Sequence, residues 1–224
     1  MRVLLLCDPA PLAAARARIG GLGEMSFVAT PQAFLETLGR ISIDLAILHR
    51  SAVGPGDLPC LMRSALAVKR TEDLPVALFG KWFSSDLRGL EGLGIEALVG
   101  DAQGRADVQT LCRSAVRRIR PQAVAETRQF GAMTLDEETF GLRARDGTMP
   151  LTRMDVTILG MMFDAPARIW SRDILQQAVF SPFDIPKSRA LEAKISRLRR
   201  SAKDQLGIDP INLVRGAGYR LNPS

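Results

Sequence analysis

The sequence predicts two domains of different class: an α/β domain with an open, mostly parallel sheet, then a smaller α+β domain. Three observations carry this. Five short apolar runs alternate with helical segments through the first half, the grammar of repeated strand–helix units. The second half strings together short alternating segments, three helical segments and a terminal hairpin centred on glycines. Between them, residues 120–129 carry a proline and mixed polar residues without a period, and read as a linker. The expected domains are therefore 1–119 and 130–224.

In chain order, VLLLC (Val3–Cys7), MSFVAT, IDLAILH, LPVALF and IEALV read as buried strands. PLAAARARI, PQAFLETLGR, DLPCLMRSALAVK, SSDLRGLEGLG and VQTLCRSAVRRI read as the helices that follow each one. In the second half, FGAMTLD, FGLRARD and TMPLT alternate in polarity and predict a small antiparallel sheet. A helix then opens at Thr152, with Asp155 three residues on as a capping-box pair, and runs through Ile158, Leu159, Met162 and Phe163 to Pro166. Ser171 caps the next helix, RDILQQAVF. Asp184 and Pro186 open the third, which runs to about Leu206 before Gly207 stops it. INLVRGAGYRL reads as a hairpin.

Composition narrows the function classes. The 224 residues are 46% hydrophobic and 24% charged, ordinary for a globular chain. No apolar run approaches the roughly 18 residues of a membrane span. Val3–Leu6 is too short for a signal-peptide core, so a cytoplasmic location and no membrane partner are expected. Cys7, Cys60 and Cys112 are scattered and His49 is the single histidine, which predicts no disulfide scaffold and no metal site. There is no glycine-rich phosphate loop and no nucleophile–base pair. No enzymatic activity and no cofactor are expected.

Charge points to a polyanion. The net charge is +6, with fourteen basic and twelve acidic residues up to Ile119 and sixteen and twelve beyond it. The excess gathers between Lys187 and Lys203, where Glu192 is the lone acid among seven cations. At 100° per residue, Leu191, Ile195, Leu198 and Ala202 form one apolar stripe. Arg189, Ala193, Ser196, Arg197 and Arg200 lie opposite, flanked by Lys194, Arg199 and Lys203. Arginine forks beside small residues suit the edges and phosphates of a DNA major groove. Arg215, just before Gly216-Ala217-Gly218, would sit at the tip of a wing, within reach of the minor groove or a phosphate.

LTRMDVTILGMM, RIWSRDILQQAV, ALEAKISRLRRSA and INLVRGAGYRL together resemble the winged helix-turn-helix effector domain of OmpR/PhoB-type response regulators, over residues 130–224. The I-x-R-L-R-R core (Ile195–Arg200) and the V-R-G-x-G-Y-R end (Val214–Arg220) are the strongest matches. The resemblance implies a transcription regulator that binds double-stranded DNA. Its reading helix carries Arg189, Ala193, Lys194, Ser196, Arg197 and Arg200, and its wing carries Arg215. RNA polymerase is a further partner the resemblance implies, although the loop FSPFDIPKS departs from the family's pattern.

Residues 1–119 resemble the flavodoxin-like (βα)5 receiver domain that precedes such effectors. Receivers accept phosphate on an aspartate after the third strand, hold Mg²⁺ with an acidic pair after the first, and contact the phosphoryl group through a hydroxyl and a lysine. Here those positions hold His49, Cys7 with Asp8, Gly80, and Asp101. A degenerate, phosphorylation-independent receiver is therefore expected. The resemblance also implies a homodimer through the receiver's fourth-helix face, with contacts such as Leu90, Leu93 and Val116, and paired DNA half-sites about 10 bp apart. The alternative is a protein-docking module whose receiver-like half binds a partner or ligand, a His49-based sensor included.

Overall fold

The computed structural model describes the chain except residues 69–73, 146, 185, 187, 188 and 224. The chain divides into two compact units, Met1–Ala123 with Ser181–Phe183, and Val124–Phe180 with Asp184–Ser224.

The first unit is a five-stranded parallel sheet in the order β2-β1-β3-β4-β5. Its strands are β1 (Arg2–Leu6), β2 (Glu24–Val28), β3 (Leu45–His49), β4 (Val76–Phe79) and β5 (Ile95–Val99). Helices α1 (Leu12–Ile19), α2 (Pro31–Arg40), α3 (Leu58–Val68) and α4 (Arg105–Ile119) cover it, with α1 beside α4 and α2 beside α3. β1, β3 and β4 are apolar on both faces because both are covered. Leu4 and Leu6 pack with Phe34 and Leu38 of α2 and with Met62 and Ala65 of α3, all at most 2% exposed. Fully burying each such leucine contributes roughly 1.5–3 kcal/mol. Thr30 caps α2 by accepting from the Ala33 backbone N–H at 3.2 Å, and Pro31 sits at its first position.

All five expected strands form, but the expected fourth helix, SSDLRGLEGLG, does not. That stretch is a series of turns. Gly89, Gly92 and Gly94 hold φ of +71°, +76° and +75°, which a right-handed helix cannot contain. The correction reaches the expected dimer face. Leu90 and Val116 are both 0% exposed and belong to the core, so neither is available to a second copy.

The second unit opens with an antiparallel meander, β6 (Thr127–Phe130), β7 (Met133–Asp136), β8 (Gly141–Ala144) and β9 (Gly147–Pro150). Residues 127–129, read as linker, are thus part of β6, paired to β7. Then come α5 (Arg153–Asp164), α6 (Arg172–Val179) and α7 (Ala190–Leu206). The hairpin of β10 (Ile211–Val214) and β11 (Gly218–Leu221) follows. Ser171 caps α6 through the Ile174 N–H at 3.3 Å.

The third helix of this unit starts later than expected. α7 begins at Ala190 with Arg189 as its N-cap residue, and the Arg189 side chain makes no cap bond. Asp184 and Pro186 precede it, and residues 185, 187 and 188, Lys187 among them, lie outside the described residues. Its buried stripe is the expected one, Leu191, Ile195, Leu198 and Ala202, extended by Leu206. Gly207 ends it in the left-handed region, its N–H bonded to the Lys203 carbonyl, as a helix stop requires.

Candidate nucleic-acid interface

α6 and α7 form a helix-turn-helix, and the hairpin beside it is a wing tied to the rest of the unit through Trp170. The Trp170 N–H donates to the Tyr219 carbonyl at 2.7 Å, and the Tyr219 N–H to the Trp170 carbonyl at 2.9 Å. Trp170 is buried, and the Arg168 guanidinium lies 4.0 Å from its ring centroid. Gly218 (φ +136°) permits the bridge, because a Cβ there would lie 2.0 Å from the Trp170 carbonyl oxygen. Burial raises the Tyr219 pKa, the neighbouring Glu192 adding to the effect. The ring therefore stays neutral.

Seven basic residues made the cluster in the sequence, and the structure divides them. Arg189, Arg197, Arg200 and Lys203 are exposed, as are Ala193, Ser196 and the wing-tip Arg215. Two others are committed within the unit. Arg199 forks onto Asp209, with Nε at 2.9 Å and 3.1 Å from the two carboxylate oxygens and Nη2 at 2.5 Å. These bonds raise the Arg199 pKa and hold the Asp209 carboxyl below its ordinary value.

Lys194 is the second. Its Nζ donates to Thr152 Oγ1 at 2.9 Å and lies 3.1 Å from both Asp155 carboxylate oxygens. Its side chain is only 15% exposed. This corrects the expectation that Lys194 lies on the DNA-facing row.

The partners of Lys194 are the capping box of α5. The Thr152 hydroxyl accepts from the Asp155 N–H at 3.3 Å, and the Asp155 carboxylate accepts from the Thr152 N–H at 2.9 Å. A third tie joins α6 to α7, where Arg172 Nε donates to Glu192 at 2.6 Å. A helical wheel shows none of these ties, since the partners of α7 lie 10 to 42 residues away.

At the carboxyl edge of the parallel sheet, the positions expected to form a receiver pocket do come together. His49 ends β3, Cys7 and Asp8 follow β1, Gly80 follows β4, and Asp101 follows β5. Ser51, which the sequence did not single out, ties the edge together. Its N–H lies 3.2 Å and its hydroxyl 2.9 Å from His49 Nδ1, and the hydroxyl accepts from the Asp8 N–H at 3.2 Å. Burial pushes the His49 pKa below its ordinary value; Asp101 and Asp8 oppose this and Arg18 assists it. The imidazole is therefore neutral near pH 7, with Nδ1 as an acceptor.

Burial likewise raises the Cys7 pKa, so that thiol is no nucleophile. Arg18 is a further residue the sequence did not flag. It stacks 4.4 Å from the Phe79 ring centroid, donates to the Gly100 and Gln103 carbonyls at 2.6 Å and 2.7 Å, and sits 3.7 Å from Asp101. Its fork is therefore largely committed to the loop after β5. Among the described residues, no group of three or more His, Cys, Asp or Glu is placed to hold a metal ion. Nor is any described helix long and apolar enough to cross a membrane.

A parallel-sheet receiver fold followed by a winged-helix DNA-binding domain defines a class, the two-domain transcription regulators. Residues 146–221 match the family model described as Transcriptional regulatory protein, C terminal. The chain is 27% identical over 181 residues to the phosphate regulon transcriptional regulatory protein PhoB of Rhizobium meliloti, covering 80% of this chain and 78% of that one. It is also 27% identical over 160 residues to the transcriptional regulatory protein AfsQ1 of Streptomyces coelicolor, covering 70% of each. Among solved structures, the DNA-binding domain of CpxR from Escherichia coli is 27% identical, with 43% of this chain and 96% of that one covered and a TM-score of 0.35. The chain is thus similar along most of its length to transcription regulators of the OmpR/PhoB response-regulator type, and its residues 146–221 match their C-terminal domain.

Proposed function

We propose that this regulator binds its DNA sites without aspartyl phosphorylation. The exposed row of Arg189, Ala193, Ser196, Arg197 and Arg200 reads the major groove, Lys203 and Arg215 grip phosphate, and occupancy follows protein concentration, a partner or a ligand. The observation that carries the first part is His49. The phosphoacceptor position holds a neutral imidazole whose Nδ1 is bonded to Ser51. Asp8 alone stands where an acidic pair would hold Mg²⁺, and Asp101 would repel a phosphoryl group where a lysine would attract it.

The DNA-facing row rests on its exposure, its charge and the small residues within it, which let the helix approach base edges closely. Paired half-sites would match a homodimer, formed through surfaces other than Leu90 and Val116. RNA polymerase is the further partner of this reading.

The test is incubation with acetyl phosphate and Mg²⁺, followed by duplex binding. The expected result is no acid-stable, base-labile phosphoprotein and an unchanged affinity. Such a phosphoprotein, bound more tightly to the duplex, would contradict the proposal. An acid-labile, base-stable one would move the switch to His49.

A further inference from the structure

We infer that Lys194 is a positioning residue for DNA reading: it latches the start of α7 to the α5 capping box and so sets where the exposed row stands. The inference rests on the reading of α7 as the recognition helix.

A helix N-terminus leaves backbone N–H groups without intrahelical partners, and a side-chain cap normally steadies it. Arg189 stands at the N-cap of α7, and its side chain makes no cap bond to the first turn. Among the described residues, two side chains in the first turn and a half tie α7 to its neighbours. Glu192 pairs with Arg172, but that pair is open to solvent, 48% and 32% exposed. Lys194 pairs with Asp155 where the two side chains are only 15% and 10% exposed. Exposed pairs are screened by salt, while enclosed ones are screened much less. The Lys194 tie therefore keeps its strength over the ionic range in which the protein meets DNA.

The geometry also explains an oddity of the α5 cap. Glu is the favoured residue at the third position of a capping box, yet this chain has Asp155. Its carboxylate closes the box onto the Thr152 N–H and also receives Lys194. One carboxylate thus starts α5 and anchors α7. Ala193, Ser196 and Arg197 are within three residues of Lys194 on the same helix. A frayed first turn would displace them before it displaced Arg200 or Lys203.

A latch and a DNA contact make opposite predictions. Removing a phosphate contact lowers the slope of log K against log salt by about 0.9. Removing a latch lowers discrimination and leaves the slope unchanged. The probes are a duplex selected from a random pool on the wild-type protein, and its scrambled counterpart. Lys194→Met keeps the bulk of the side chain, and Asp155→Asn keeps an acceptor for the cap. Each is expected to lower the ratio of the two affinities by roughly tenfold, the size of one weakened base contact. The double variant should be no worse than either single, because both remove the same tie. A slope reduced by about one unit in Lys194→Met, or an unchanged ratio, would overturn the inference.

Reductive methylation of the free wild-type protein tests the latch apart from DNA. Lys194 should react more slowly than Lys203, Asp155→Asn should speed it, and added duplex should protect Lys203 but not further protect Lys194. Equal rates for the two lysines in the free protein would show that the latch is not formed. A failure of wild-type duplex binding would instead count against the functional reading and leave the methylation result to judge the latch.

Discussion

Replacing Gly218 with alanine should loosen the wing. The added Cβ would fall 2.0 Å from the Trp170 carbonyl oxygen, 2.8 Å from its carbonyl carbon and 3.0 Å from Ser171 Cα. All three are backbone atoms, so no side chain can turn aside. Relief requires β11 to move away from Trp170, which breaks the two Trp170–Tyr219 hydrogen bonds. Each contributes about 1 kcal/mol net, and holding a non-glycine residue at φ +136° adds about 1–3 kcal/mol. The expected loss is therefore about 3–5 kcal/mol, a large part of a stability of about 5–15 kcal/mol. Urea unfolding followed by tryptophan fluorescence reads it directly, since buried Trp170 lies at the break. Duplex affinity should fall with it, because the wing carries Arg215. A midpoint shift equivalent to less than about 1 kcal/mol would show that β11 is not clamped against Trp170.

Other outcomes follow from the same geometry. Thr152→Ala should destabilise the second unit by about 0.5–2 kcal/mol through loss of the cap, and Thr152→Ser should restore it; equal urea midpoints for the two variants would count against the capping box. The hydrogen bonds from Arg199 hold the folded Asp209 carboxyl below its ordinary value. Their contribution is thus fully present above the unfolded carboxylate pKa and is lost as pH falls through the lower folded value. Thermal melts from pH 7 down to pH 3 should therefore decline less steeply in Asp209→Asn than in wild type, and parallel curves would contradict this. Burial pushes the Cys112 thiol up to about 12 and also raises that of Cys7, whereas Cys60 is exposed. An aromatic disulfide reagent at pH 8 should titrate one thiol quickly and the other two only after denaturation; two fast thiols would refute this.

The sequence made the parallel sheet legible because β1, β3 and β4 are buried on both faces and so are unbroken apolar runs. It made the helix starts at Thr152 and Ser171 legible because a cap is local chemistry. The missing fourth helix misled because Leu87, Leu90 and Leu93 repeat at helical spacing, while the glycines among them take backbone angles no helix allows. β6 reads as linker in the sequence because its residues are mostly polar and its strand character comes from pairing with β7. Pro186 resembles a helix-opening proline but precedes α7 by several residues. In the candidate site, the apolar stripe and the exposed arginines follow from the period of one helix. Lys194 does not, because a wheel cannot show that Asp155, 39 residues earlier, folds beneath it.

The central claim is that the exposed face of α7 and the wing arginine bind DNA. Its most direct test is the salt dependence of duplex binding by wild type, Arg197→Ala and Arg215→Ala. Wild type should show log K falling steeply with log salt, by about 0.9 for each phosphate contacted. Arg197→Ala should reduce discrimination between selected and scrambled duplexes by about 1–3 kcal/mol, and Arg215→Ala should weaken both alike and flatten the slope by about one unit. Binding that is undetectable or indifferent to salt would contradict the account and favour a protein-docking role for the chain.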